Sequence, residues 1–382
     1  MIYLDHAATT PVDPAVLEAM LPYLRGAYGN PSSVYGLGRQ ARSAIDSGRD
    51  AVAAGLGCQA REVIFTSGGS ESDNLAIRGV ALRNRDRGRH LVCSQVEHHA
   101  VLHTCQDLER DGFDVTYLPV DGEGRVNPED LRAALRTDTL LVSVMSGNNE
   151  VGTVQPVREL AGITHEHSSA YFHTDAVQAL GKLEVDVDDL GVDLLTISAH
   201  KVNGPKGVGA LYVRMGTRIQ PLITGGGHER NRRAGTENVA GIAGLAAAVT
   251  AAVRERESNV QVMRGARDRL IAGLLAEVDG ATVTGSREER LPHHASFLIP
   301  GIAGDALLVR LDRAGVYASS GSACTSGSLE PSHVLLAMGV PPQAALATLR
   351  LTVGKDTTTD EVDAALELVA ENVHALRAAG RP

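Results

Sequence analysis

Only four lysines, Lys182, Lys201, Lys206 and Lys355, occur among 36 basic residues; arginine supplies the rest. A chain that carries its surface charge on arginine keeps lysine for what a guanidinium cannot do, above all to act as a deprotonatable amine nucleophile. Lys201 is the best placed. It follows the strand-like run Asp193-Leu-Leu-Thr-Ile-Ser198 through Ala199 and His200, and it precedes the glycine-rich Asn203-Gly-Pro-Lys-Gly-Val-Gly209. An amine at a strand's carboxyl end, beside tight backbone, suits a Schiff base with a carbonyl cofactor, and Ser198 and His200 beside it suit donation to a phosphate. Together they point to pyridoxal phosphate. A mononucleotide loop is the alternative for Gly204-Pro-Lys-Gly207, but the spacing of such loops is absent.

A pyridoxal site needs three further parts: an anion cup, an acid against the pyridine nitrogen and a group stacked on the ring. For the cup, Thr66-Ser-Gly-Gly-Ser-Glu-Ser72 follows a strand-like run and opens a helical one, so backbone N–H groups and the helix dipole would face an anion. Read alone, the same turn is an ordinary helix cap. For the acid, Asp175 lies just past Tyr171-Phe-His173, where a carboxylate would hold the ring nitrogen protonated and Gln178 would reach the phenolic oxygen; an Asp after a strand also serves as a helix cap. For stacking, Glu97-His-His99 offers an imidazole that also shuttles protons near neutral pH. His98, His99 and His103 with Cys93 and Cys105 raise zinc as an alternative, but no Cys-x-x-Cys or second His pair completes four ligands, and no metal is expected.

The four cysteines are too few and too scattered for a disulfide framework in 382 residues. Cys93 falls in a strand-like run and Cys105 in a helical one, which favours inert core thiols; Cys58 sits near glycines. Cys324 differs, because Ala318-Ser-Ser-Gly-Ser-Ala-Cys-Thr-Ser-Gly-Ser328 is small and polar throughout, a context that predicts an exposed thiol on a mobile loop.

Elements that would position these groups are legible in the middle of the chain. Strand-like runs at Glu62–Thr66, His90–Cys93, Asp114–Leu118, Leu140–Met145, Tyr171–His173, Leu194–Ser198 and Gly209–Val213 alternate with helical periods at Ser72–Arg83, Ala100–Arg110, Pro128–Leu135 and Val157–His167. Such alternation predicts an α/β fold with a mainly parallel, helix-covered sheet whose ligands bind at the strands' carboxyl ends. Helical stretches at Val239–Val253 and Asn259–Glu277 follow. Sparser strands at Ala281–Thr284, Ala295–Ile299, Val316–Ala318 and Leu349–Val353, with helices at Gly304–Arg313 and Thr359–Ala378, read as a smaller α+β domain. The expected division is a large unit at 15–255 and a small unit of 1–14 with 256–382. A net charge of −10 disfavours a nucleic-acid groove or an anionic membrane surface. The absence of a basic leader and of any apolar run of about 18 residues predicts a cytoplasmic chain with no membrane span.

The segments Tyr3-Leu-Asp-His-Ala-Ala-Thr-Thr-Pro11, Gly29-Asn-Pro-Ser-Ser33, Phe65-Thr-Ser-Gly-Gly-Ser-Glu-Ser72, Asn148-Asn-Glu-Val-Gly152, Ser198-Ala-His-Lys201, Arg233-Ala-Gly-Thr-Glu-Asn238 and Ser320-Gly-Ser-Ala-Cys324 resemble, in order over nearly the whole chain, the class V pyridoxal enzymes of fold type I. More narrowly they resemble the cysteine desulfurases of the NifS and IscS type. The resemblance implies a large domain with a seven-stranded sheet, a small domain bearing the catalytic cysteine, and conversion of L-cysteine to L-alanine with the sulfur left as a persulfide on Cys324. It implies that Lys201 holds the pyridoxal phosphate aldehyde as a Schiff base, that Asp175 pairs with the ring nitrogen, that Gln178 meets the phenolic oxygen and that His98 stacks on the ring. It assigns the phosphate to Gly69, Ser70, Ser198 and His200, with Thr236 contributed by the other subunit of a homodimer. Asn149 and Arg350 would hold the substrate, and a sulfur-acceptor protein, such as an iron–sulfur scaffold, would receive the sulfur. Ala199 stands where glycine is common and His99 where members vary. The alternatives are a selenocysteine lyase, racemase or aminotransferase of the same fold, which has no need of Cys324, and a non-catalytic sulfur-carrier scaffold, which has no need of the coenzyme.

Overall fold

Runs such as Leu194-Leu-Thr-Ile-Ser198 and Gly209-Ala-Leu-Tyr-Val213 carry no charged residue, and strands of that kind need cover on both faces. The computed structural model, which describes residues 1–321 and 330–379, buries both at every position. After the two-residue β1 (Ile2–Tyr3), they lie in a sheet of β2 (Val63–Thr66), β3 (His90–Ser94), β4 (Asp114–Leu118), β5 (Thr139–Ser143), β6 (Tyr171–Asp175), β7 (Leu194–Ser198) and β8 (Gly209–Val213). Their order is β2-β8-β7-β6-β5-β3-β4. The pairs from β7 through to β4 are parallel, while β8 is antiparallel to both β7 and β2. β2 therefore points the same way as β7, and the carboxyl ends of β2, β3, β5, β6 and β7 share one edge.

The period of two along each strand divides the interior. Val142, Leu195 and Tyr212 enter a core under helices Gly36–Leu56, Val157–His167 and Val239–Arg254, while their neighbours Leu141, Leu194 and Leu211 enter one under Gly69–Arg83 and His99–Arg110. The sequence reading marks no element before Glu62, yet helices Pro14–Arg25 and Gly36–Leu56 stand there. Glycine depresses helix propensity, and Gly36–Leu56 contains several. Their use is contact: a Cβ at Gly55 would stand 2.5 Å from Val249 Cγ1, and one at Gly48 2.8 Å from Ile242 Cγ2. The bare backbone lets this helix lie directly against Val239–Arg254.

A second sheet is antiparallel, ordered β12 (Thr348–Thr352), β10 (His294–Leu298), β9 (Thr282–Val283), and β11 (Val316–Tyr317) pairs in parallel with β1. Helices Arg256–Glu277, Gly304–Arg313 and Thr359–Ala379 close over it around Leu270, Phe297, Leu307, Leu351 and Val369. Leu4 belongs to this core, so the N-terminus is physically part of it. From there the chain runs as a strap to the end of β7: the Ala7 N–H donates to Thr352 Oγ1 at 2.9 Å, Thr10 N–H to His200 O at 2.9 Å and Asp13 N–H to Asn203 O at 2.9 Å. No helix among the described residues is long and apolar enough to cross a membrane.

Gly209 shows how closely the backbone is packed at the shared edge. A Cβ there would stand 2.6 Å from Ile197 O and 2.8 Å from Gly68 Cα, both backbone atoms that no rotamer can move aside. Gly209→Ala is expected to destabilise the fold by about 1–3 kcal/mol, measured by urea unfolding; wild-type stability in that variant contradicts the close approach.

Candidate active site

Five strand ends meeting at one edge surround a cavity of about 420 Å³. Gly69 and Ser70 enter it after β2, His98 after β3, Met145 and Asn149 after β5, Asp175, Val177 and Gln178 at the end of β6, and Ser198, His200 and Lys201 at the end of β7. Ala7 and Ala8 of the strap, Asp73 and Arg350 of β12 complete the lining. Gly69, Ser70, His98, Asn149, Asp175, Gln178, Ser198, His200, Lys201 and Arg350, all singled out from sequence, are thus neighbours. Thr236 is exposed and does not line this cavity in the single chain. Cys324 lies outside the described residues.

Lys201 ends a one-turn segment, Ala199–Lys201, and its Nζ donates to the carbonyls of Ala7 at 2.5 Å and Ala8 at 2.7 Å. His200 Nδ1 meets Thr9 Oγ1 at 3.1 Å, and burial, then the charge of Lys201, pushes its imidazole down to about 4. Across the cavity Gly68 precedes the helix Gly69–Arg83 with φ +156°, a conformation open to glycine. Thr66 Oγ1 and Ser72 Oγ lie 2.7 Å apart beneath that turn. The first N–H groups of the helix have no acceptor within it, so the turn offers donors to an anion. Glu71, in the same turn, accepts from Ser67 N–H at 2.8 Å and from Arg233 Nε at 2.8 Å; burial pushes its carboxyl up, but these bonds outweigh it and hold the pKa below the usual value.

Two carboxyl groups, Asp73 and Asp175, line the floor, and a third, Glu97, is buried next to it on the lining Met145. Asp175 Oδ1 accepts the Val177 N–H at 2.8 Å, and burial pushes the group up to about 6 against the pull of that bond and of Lys201. Asp73 is wholly buried, and burial with the neighbouring Asp175 charge raises it well above the carboxylate range. Glu97 is pushed by burial to about 8 even though Ser94 Oγ and Met145 N–H bond its Oε1 at 2.5 and 2.9 Å. Asp73 Oδ1 and Glu97 Oε2 are buried without a partner. His173 Nε2, 3.7 Å from Asp73, is no counter-ion, because burial holds its imidazole down at about 3. The floor is suited to a bound cation.

His98 caps the helix His99–Arg110, its Nδ1 accepting the Ala100 N–H at 3.1 Å. Burial first, then Lys201, pushes it down to about 4, so the imidazole is neutral and, with Nδ1 accepting, carries its proton on Nε2. Gln178 Nε2 donates to Ala7 O at 2.9 Å and leaves Oε1 buried without a partner. Arg350 is 2 % exposed; Nη1 donates to Asn149 O at 2.9 Å, Nη2 to Asp5 Oδ1 at 2.8 Å, and Nε is left with no acceptor.

Cys93 and Cys105 are buried in the core, and burial pushes the half-buried Cys58 up to about 12. None of the three lines the cavity. The chain on either side of Cys324 is moored beside it. Ser319 exchanges backbone hydrogen bonds with Arg350 at 2.7 and 3.2 Å; on the far side Ser332 Oγ donates to Glu150 Oε2 at 2.5 Å and His333 Nε2 to Glu97 O at 2.9 Å. His99 stacks between His103 and His333 with ring centroids 4.8 and 4.7 Å away, yet no three His, Cys, Asp or Glu groups among the described residues converge as metal ligands. Ala7, Ala8, Asp73, Met145 and Val177 were not anticipated. The available signal was Asp73, a carboxylate on the same helical face as Ala76, Ile77 and Val80.

Residues 2–365 match the family described as Aminotransferase class-V. A protein of Methanosarcina thermophila named cysteine desulfurase IscS is 51% identical over 376 residues, covering 98% of this chain and 93% of that one. Among solved structures, a NifS-like protein superposes with a TM-score of 0.92 at 40% identity, covering 97% and 98% of the two chains. SspA, solved in complex with cysteine, superposes with a TM-score of 0.82 at 36% identity, covering 94% of this chain and 100% of that one. With the strand ends, the amine and the acids arranged as described, this chain belongs to the aminotransferase class-V family.

Proposed function

We propose that the chain is a pyridoxal-phosphate-dependent cysteine desulfurase, converting L-cysteine to L-alanine and retaining the sulfur on Cys324. Support for the coenzyme comes from the cavity itself. The N–H groups at the helix start, Gly69 and Ser70, with Ser198 and His200, suit its phosphate; the carboxyl floor at Asp175 suits a protonated ring nitrogen; the partnerless Oε1 of Gln178 suits the edge of a polar ring; and Lys201 is the amine for its aldehyde. When bound, the coenzyme supplies an electron sink for the α-carbon of an attached amino acid. Arg350, with its spare Nε donor, and Asn149 hold the substrate carboxylate. Lys201 would be the base that takes the α-proton and returns protons to the product, and neutral His98, with Nε2–H available, would face the coenzyme and share the same traffic.

Cys324 then attacks the substrate sulfur as a thiolate. An S–S bond forms, the C–S bond breaks, its electron pair goes to the substrate carbon, and protonation there leaves alanine and a persulfide. The observation that carries this reading is the convergence of strand ends and Arg350 on one cavity, with the Cys324 segment tied to Arg350 at one end and to Glu97 and Glu150 at the other. Relatives named cysteine desulfurase and a structural neighbour solved with cysteine agree with it. The unit at 15–255 then carries the coenzyme, and 1–14 with 256–382 carries the cysteine. A homodimer is supported by two features: Thr236 stands exposed, outside the cavity of its own chain, and Tyr28, Val34 and Tyr35 are 73%, 88% and 56% exposed in one short stretch. The persulfide passes to an acceptor protein in the cytoplasm, for iron–sulfur assembly or other thiolation.

Cys324→Ser is expected to lower alanine formation from L-cysteine by about 10³-fold or more while leaving the coenzyme's visible band intact, and mass spectrometry should find the added sulfur on the wild-type peptide containing Cys324. Undiminished alanine formation in the variant would reassign the nucleophile and favour a lyase that needs no enzyme thiol.

Asp175 gives a second check, in stability. In the coenzyme-free protein it keeps its proton up to about pH 6, above the value of 3.8 usual for the unfolded chain. The folded state therefore binds more protons between those values, and the group's contribution, full below about pH 4, is lost as pH rises through 6. Asp175→Asn should gain about 2 kcal/mol on wild type between pH 4 and pH 7, read by urea unfolding. Loading the coenzyme should reverse that order, because only the aspartate pairs with the ring; an order unchanged by loading excludes the pairing.

A further inference from the structure

Lys182 is a lysine that the reading above leaves without work. Lys206 is exposed and Lys355 pairs with Asp13 at 2.6 Å, but Lys182 is 8 % exposed and donates from Nζ to the backbone carbonyl of Lys201 at 3.0 Å. It closes the turn that begins at Asp175 and carries Val177 and Gln178 into the coenzyme cavity. That turn is held by Ala179 N–H on Ala176 O and Lys182 N–H on Ala179 O, each at 2.9 Å. One residue earlier Gly181, at φ +73°, passes Ala252 so closely that a Cβ would stand 2.9 Å from it, which aims Lys182 under the Lys201 turn.

A second cavity, of about 50 Å³, shares only Lys201 with the first. It has room for a few waters and none for a substrate. Lys182, Lys201 and Lys355 reach it, with His6 from the strap. The carboxylates present, Asp13 and Glu255, are engaged with Lys355 at 2.6 and 3.9 Å, and no carboxylate among the described residues pairs with Lys182. His6 and the wholly buried His293 face Lys182 as neutral rings; burial first, then the lysine's charge, pushes His6 down to about 4 and His293 well below its usual value. Burial, then the charge of Lys201, pushes Lys182 itself down to about 7. Two amines lining one small cavity each make the other's proton more costly. An arginine could not take part, since it does not lose its proton.

We propose that Lys182 is a positioning residue for the catalytic amine: anchored on the Lys201 carbonyl, it fixes the turn that presents Lys201 and sets its charge against a second charge on that amine. The inference rests on Lys201 being the coenzyme-binding lysine. It explains why a chain so poor in lysine keeps a second, buried one bonded to the Lys201 carbonyl.

The test uses the holoenzyme with Lys182→Met and Lys182→Gln, the second keeping an N–H donor for the Lys201 carbonyl but no charge. In both, the pH midpoint of the visible band of coenzyme bound at Lys201 is expected to rise by about one unit, with kcat recovering further in the Gln variant than in the Met variant. A folded variant with the wild-type midpoint overturns the inference alone; a wild-type protein that binds no coenzyme at position 201 overturns the parent reading and this one with it. Should neither variant fold, lysine labelled with ¹³C at Cε gives four signals in the coenzyme-free chain. The Lys182 signal is then expected to titrate at higher pH in Lys201→Ala than in wild type, and an unmoved midpoint overturns the coupling.

Discussion

The common direction of five strands governs everything at this site. Because β2, β3, β5, β6 and β7 all end at one edge, residues as far apart as Gly69 and Lys201 need no contact code of their own to meet; each has only to follow its strand. The antiparallel β8 keeps β2 in that direction, and Gly209 lets it do so at close range. The edge by itself is open. Ala7, Ala8 and Arg350 close it, and all three come from chain that packs with the second core. The Arg350–Asp5 pair at 2.8 Å and the Ala7–Thr352 bond at 2.9 Å fasten strap to strand, so the cavity exists only while the two cores hold their relation.

Electrostatically the cavity is built from groups that burial has shifted. Asp175 and Asp73 line it and Glu97 bonds the lining Met145, all three carboxyls raised by burial; Lys201 and Arg350 line it as cations, and Lys182 lies in the smaller cavity that shares Lys201. His98 and His200 in the lining, and His173 near Asp73, are neutral for want of solvation. Raised acids and a lysine pushed down to about 7 are what burial does to ionisable groups deprived of water.

The legible part of this architecture was the part written locally. β3, β5, β7 and β8 are buried at every position and read as largely apolar runs, and the residues just past the strand ends could be picked out by type. The helix Gly36–Leu56 was not legible, because its glycines serve a neighbouring helix and argue against helix when read alone. Ala7 and Ala8 act through carbonyl oxygens, which every residue has, so no side-chain signal marks them. Asp73 sits one helical turn past a glycine motif and becomes a site residue only once β6 brings Asp175 beside it. Lys182 was noticed as a lysine and nothing more, for its partner is a backbone atom 19 positions away.

The mooring of the chain on either side of Cys324 bounds the reach of its thiol. Ser319 is bound to Arg350 five positions before the cysteine, and Ser332 is bound to Glu150 eight positions after it. A fully extended chain spans at most about 3.5 Å per residue, so the thiol is confined within roughly 18 Å of Ser319 whatever path the segment takes.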